Sequence, residues 1–135
     1  MHSTLRNQAG PGKPLATEPP DEKEIAGLIH SGRMPLKDSK VVSLSIEGRF
    51  DLAYNAAHAL CLAALRRCGY RPHNRFIVFQ VLPQTLNLGP EVWRVLAKCH
   101  DMRNLSEYEG AIHIDKRLLD ELIVAAEKVS DALGQ

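Results

Sequence analysis

The chain has 135 residues, 44% hydrophobic and 24% charged, with a formal net charge of +1. These values fit one globular domain large enough for its own core, and they exclude a global field that would recruit nucleic acid or an acidic membrane. The sequence has no apolar run of about 18 residues, no signal-peptide core and no paired cysteine spacing, so we expect no membrane span, a cytoplasmic chain, and free thiols at Cys61, Cys68 and Cys99.

Residues 1–18 hold Gly10, Pro11, Gly12 and Pro14 with little apolar content, and read as a disordered tail. Residues 19–135 read as the folded domain. Asp21 and Glu24 form an Asp-x-x-Glu capping box that opens a helix through Ile25, Leu28 and Ile29. Gly32 and Pro35 are expected to close it. A weaker helical stretch covers 37–45, with a break near 45–48.

The long element, 46–68, is apolar on two sides. One face carries Phe50, Ala53, Tyr54, Ala57, Leu60, Cys61, Ala64 and Leu65; the other carries Leu52, Ala56, Ala59 and Ala63. Such a helix is central, and its small residues let a neighbour approach closely, from this chain or from a second subunit. Only Arg49, Arg66 and Arg67 are left for solvent. Gly69 ends the helix, with Pro72 just beyond. The segment 74–86 reads as a helix weakened by Pro83, although 76–81 is also β-friendly. Gly89 and Pro90 start the next helix, over 91–108, and Gly110 stops it. Asp115 caps the last, whose apolar face is Leu118, Leu119, Leu122, Ile123, Ala126, Val129 and Leu133. The sum is an all-α fold: four to six helices in a mostly up-and-down bundle.

Arg103 stands out. Its helix has an apolar stripe of Val92, Val95, Leu96, Cys99 and Met102, and at about 100° per residue Arg103 falls near the middle of that stripe. A guanidinium cannot shed its charge, so turning it inward demands a partner or a ligand. The central helix supplies a third stripe, Asp51, Asn55 and His58, between its apolar faces. Asp51 is the expected carboxylate for Arg103, with His58 and His100 lining the same pocket. The pair reads either as a structural ion pair or as the wall of a phosphate or nucleotide pocket. His58 with Cys61 and Cys99 with His100 lack ligand spacing, so no metal is expected. There is no Gly-rich phosphate loop and no nucleophile elbow. One cationic stretch, Arg66, Arg67, Arg71, His73, Asn74 and Arg75, is either a solvated helix end or a phosphate contact at the mouth of a groove.

Two segments carry a resemblance. GRFDLAYNAAHALCLAALRRCGYRP, residues 48–72, resembles the long second helix of bacterial members of the HEPN superfamily (higher eukaryotes and prokaryotes nucleotide-binding). HDMRNLSEYEG, residues 100–110, resembles that family's Arg-Asn-x-x-x-(His or Tyr) signature near the end of a later helix. The likeness spans roughly 22–133 and implies a HEPN-like helical bundle that commonly dimerises and needs no cofactor. It implies one of two roles. Some members are metal-independent endoribonucleases, often the toxins of toxin–antitoxin pairs; others accompany a minimal nucleotidyltransferase and bind nucleotide or RNA.

Carried over by position, Arg103 stabilises phosphate charge, Asn104 orients it, and Tyr108 stands where other members have histidine. A phenol with a pKa near ~10 is a poor base at neutral pH, which leaves His58 or His100 to substitute. Arg103 and Tyr108 also lie about 140° apart around an ideal helix, so they converge only if the helix distorts or a second subunit completes the site. The candidate catalytic residues are thus Arg103, Asn104 and Tyr108. The candidate substrate-binding residues are Asp51, Asn55, His58, His100 and Glu107. The favoured expectation is a nucleotide- or RNA-binding homodimer that partners a minimal nucleotidyltransferase in a toxin–antitoxin-like system. An active endoribonuclease toxin and a non-enzymatic helical interaction module are the alternatives.

Overall fold

Ser45 accepts a hydrogen bond from the backbone N–H of Gly48 and so starts α3 (Ile46–Arg67), the central helix of the computed structural model. The structure describes residues 2–109 and 114–134, and side chains over 5–105 and 114–134. Around α3 lie α2 (Glu22–Asp38), α6 (Pro90–Glu109) and α7 (Lys116–Leu133). Three short helices, α1 (His2–Asn7), α4 (Ile77–Gln80) and α5 (Leu82–Thr85), and a two-stranded ribbon complete the described fold. It is an all-α helical bundle in which α3 packs on α2 and α7, and α6 packs on α7. The core contains Phe50, Tyr54, Leu60, Leu96, Leu119 and Leu122, each sealed from solvent. No described helix is long and apolar enough to cross a membrane.

The end signals act where expected. The Asp21 carboxylate accepts from the N–H groups of Lys23 and Glu24, and Asp115 accepts from Leu118 at 2.8 Å. Gly69 sits at φ 93°, the left-handed turn that releases the chain from α3.

Five expectations change. Of the helical stretch expected over 37–45, Lys37 and Asp38 belong to the end of α2 and 39–45 is turn and bend. The stretch read as a disordered tail is folded from its first described side chain onward. Leu15–Thr17 forms β1, antiparallel to β2 (Tyr70–Pro72), with Leu15 opposite Pro72 and Thr17 opposite Tyr70. Leu5 and Leu15 are both buried, so the two leucines of this segment go into the core.

Gly32 and Pro35 do not end α2, which runs on to Asp38. A Cβ at Gly32 would lie 2.6 Å from Leu60 Cγ and 3.1 Å from the Ala56 carbonyl oxygen. The glycine is therefore a contact point, and α2 is the neighbour that lies on the small residues of α3.

Arg49 and Arg66 are buried rather than solvated. Arg49 donates from Nε to the Ser39 carbonyl at 2.7 Å. Arg66, fully enclosed, donates to Glu24 Oε1 at 2.9 Å and to the carbonyls of Glu18, Pro19 and Tyr70 at 3.0, 2.8 and 3.2 Å. Arg71 adds Glu18 and Glu24, so this part of the cationic stretch is neutralised. These contacts clasp the N-terminal segment to the end of α3.

The segment 74–86 splits into α4 and α5 at Val81. Asn74 accepts from Ile77 N–H at 2.9 Å, and Pro83 falls in the first turn of α5, where a missing N–H costs nothing.

Candidate functional site

A buried phenol must find a hydrogen-bond partner. Tyr54, 1% exposed on α3, finds it across the bundle: its hydroxyl lies 2.8 Å from His100 Nδ1 on α6. One turn further along α6, Asn104 Nδ2 lies 3.0 Å from the other ring nitrogen, His100 Nε2. With the amide donating there, Nε2 is the acceptor, and the ring proton sits on Nδ1, directed at the Tyr54 oxygen. Tyr54, His100 and Asn104 thus form one relay from the core to the surface, where Asn104 is exposed.

Two guanidiniums converge on the same Tyr54 ring. The Cζ of Arg103 is 4.9 Å from its centre and that of Arg75 is 5.7 Å away, both within cation–π range. Phe76 and Phe79, on and beside α4, close the cluster. Phe76 stands 5.1 Å from the His100 ring, and Phe79 is 6.0 Å from Tyr54 and 6.1 Å edge-on from His58. Three separate elements therefore build the site: α3 with Tyr54 and His58, the start of α4 with Arg75 and Phe76, and α6 with His100, Arg103 and Asn104.

The electrostatics follow from this crowding. Burial, reinforced by the charges of Arg75, His100 and Arg103, pushes His58 down from 6.5 to about 4. His100 is also held below the ordinary histidine value, first by burial and then by Arg75 and Arg103, against the opposing pull of Asp101. At neutral pH both imidazoles are uncharged; Arg75 and Arg103 act on both, and Asp101 opposes them at His100. An anion entering here would meet two guanidiniums and one exposed amide without displacing a proton.

The residues expected from sequence divide. His58, His100, Arg103 and Asn104 come together. Asp51 and Asn55 are exposed, and no ion pair between described residues joins Asp51 to Arg103. On α3, His58 is rotated only about 40° from Tyr54, whereas Asp51 is rotated about 60° and Asn55 about 100°. Of the three, His58 lies nearest the Tyr54 face, and Asp51 and Asn55 lie further round towards water. Half-buried Arg103 has the Tyr54 ring beneath it. Glu107 and Tyr108 lie outside the described side chains.

Tyr54, Arg75, Phe76 and Phe79 were missed as site residues. Tyr54 sat on an apolar stripe, and Arg75 was submerged in a run of arginines whose other members have structural partners. The available signal was the phenol itself, one helical turn before His58 on a face too buried for water to satisfy it. The Cys61 and Cys99 thiols are pushed up by burial, Cys99 to about 12, and so are inert. Among the described residues no group of three or more His, Cys, Asp or Glu side chains could hold a metal ion. No protein-family model, no curated protein and no solved structure matches the chain.

Proposed function

We propose that the side-chain cluster of Tyr54, Arg75, His100, Arg103 and Asn104 binds the phosphate of a nucleotide or of RNA, and that the chain serves as the nucleotide-binding partner of a minimal nucleotidyltransferase in the cytoplasm, as the HEPN resemblance implies. The observation that carries this reading is the convergence of two guanidiniums on one buried ring, beside two imidazoles kept neutral. Cations gathered around a polar relay favour an anionic ligand, and a planar guanidinium suits phosphate oxygens. The implied homodimer belongs to the same proposal. Its surface lies elsewhere than the small-residue stripe of α3, which α2 already covers; light scattering at stepped concentration tests it.

A thermal-shift series with mononucleotides and short RNA tests the binding. A ligand at 100 times its Kd stabilises by about 2.7 kcal/mol, and Arg103→Gln with Arg75→Gln should abolish the gain. An unchanged melting temperature across the ligand series would leave the chain a helical interaction module.

A second reading, metal-independent cleavage of RNA, is favoured by one observation: His100 offers an unprotonated Nε2 beside Arg103 and Asn104. That nitrogen can take the 2′-hydroxyl proton once Asn104 gives way, a task for which a phenol is unsuited; the 2′-oxygen then bonds to phosphorus, the P–O5′ bond breaks, and the imidazolium returns the proton to the departing 5′-oxygen. RNA incubated in chelator and ending as a 2′,3′-cyclic phosphate, with the product lost in His100→Ala, would establish it.

A further inference from the structure

We infer that the N-terminal segment is a positioning strap for the candidate site: β1 and Glu18 hold the α3–α4 connection where it presents Arg75 to the Tyr54 ring. The inference takes from the reading above only that Arg75 belongs to the site, and its test reads the imidazoles without any ligand.

The connection is fastened to one partner along its length. The Gly69 carbonyl accepts from the Glu18 N–H at 3.0 Å. Tyr70, Arg71 and Pro72 lie opposite Thr17, Ala16 and Leu15 in the ribbon. The His73 N–H donates to the Pro14 carbonyl, and the His73 ring Nδ1 donates to the Lys13 carbonyl, both at 2.8 Å. Every residue over 69–73 is thus tied to the segment 13–18. Side chains lock the same join. Arg71 donates from Nε and Nη2 to the two Glu18 carboxylate oxygens at 2.9 and 2.7 Å, a bidentate pair. The strap is itself anchored, because Leu5 and Leu15 are buried.

On the other side, Asn74 caps α4 by accepting from the Ile77 N–H, and Ile77, Val78 and Phe79 are buried. Arg75 therefore sits in the short span between two anchors, the strap up to His73 and α4 beyond Phe76. Its own side chain is exposed, so packing does little to fix it. The Arg75 Cζ stands 5.7 Å from the Tyr54 ring centre because the backbone delivers it there. A guanidinium on a long stem has many rotamers, and holding both ends of its backbone span lowers the entropy lost in keeping it at the ring. Glu18 acts through Arg71 and the connection, which makes it a positioning residue.

The experiment is an NMR titration of His58 and His100 in the full chain, with two strap variants. Ala16→Pro removes a backbone N–H from β1 without changing any charge. Glu18→Ala removes the pair with Arg71. With the strap loosened, Arg75 leaves the ring and no longer opposes protonation of either imidazole. Both should titrate higher, by up to roughly half a pH unit, the share of one guanidinium ~10 Å away. The other charged groups that act on these rings, Arg103 and Asp101 on α6, are unaltered in both variants. For Glu18→Ala the sign is diagnostic, since loss of a carboxylate acting only through space would lower both values. In an Arg75→Gln background the strap variants should move neither imidazole, because the charge they release is already gone. Circular dichroism melts confirm folding, and either variant alone decides the matter if the other does not fold. Imidazoles that stay put or titrate lower in a folded strap variant, or that rise equally with and without Arg75, would overturn the inference. If inorganic phosphate raises the wild-type values while the strap variants match the wild type, the strap is wrong and the phosphate reading stands. If the strap variants shift the imidazoles and phosphate does not, the strap stands and the phosphate reading falls.

Discussion

Removing the charges of Arg75 and Arg103 should raise the pKa of His58 and His100 by an amount that the geometry sets. The Arg103 Cζ lies 4.9 Å and the His100 ring 6.2 Å from the Tyr54 ring centre, so the two groups are at most about 11 Å apart. At an effective dielectric constant of ~20, a unit charge ~10 Å away contributes about 1.7 kcal/mol. Screening over a Debye length of ~8 Å cuts that to about 0.5–1 kcal/mol, or roughly half a pH unit. Arg75, 5.7 Å from the same centre, adds a similar amount. In Arg75→Gln/Arg103→Gln, each imidazole should therefore titrate about one pH unit higher, with His58 starting from about 4 and still held low by its burial. The assay is an NMR titration of the imidazole Cε1–H resonances. The chain has six histidines, and His58→Gln and His100→Gln assign the two that matter. Inorganic phosphate should raise both values in the wild-type protein and leave the double variant unmoved, because a bound anion supplies the countercharge that the arginines oppose. Imidazoles that titrate identically in the wild-type and double-variant proteins would show that these four groups share no pocket, and the phosphate reading would lose its basis.

The neutral His58 also makes stability pH-dependent. Between pH 6.5 and about 4 the unfolded chain takes up a proton that the folded chain refuses. Stability thus falls as pH drops through that window, by up to roughly 3 kcal/mol at its acid end, and urea melts at stepped pH should show a shallower decline in His58→Phe. Arg66→Met should destabilise by about 3–5 kcal/mol in chemical denaturation, because it takes one of two arginine partners from Glu24 and the guanidinium donor from three carbonyls. Gly32→Ala, which would normally gain up to ~1 kcal/mol in a helix, should instead lose about 1–3 kcal/mol to the clash with Leu60. A melting temperature that rises in this variant would refute the close packing of α2 on α3.

What could be read from the chain before the structure was whatever has a local cause. Asp21, Gly69, Pro90 and Asp115 act on backbone groups within four residues, and each marks a helix end as expected. His100, Arg103 and Asn104 could be grouped because one helix turn brings them together. Arg66 could not be placed, since three of its acceptors, the Glu24 carboxylate and the carbonyls of Glu18 and Pro19, lie more than 40 positions away in sequence. An arginine at a helix end looks solvated until a distant segment folds over it. Gly32 failed for the opposite reason: the lack of a side chain that breaks an isolated helix is also what admits a neighbouring one. Tyr54 shows the deeper limit. Hydrophobic periodicity locates a buried face but is blind to a hydroxyl at the far end of a ring, so the residue joining all three elements of the site looked like core. Its buried oxygen nevertheless required a polar partner across an interface. The partner it found, His100, is the group whose second nitrogen faces Asn104 at the exposed end of the relay. The same phenol that completes the core therefore fixes the orientation of the imidazole, and on the proposed reading packing and binding chemistry run through one hydrogen bond.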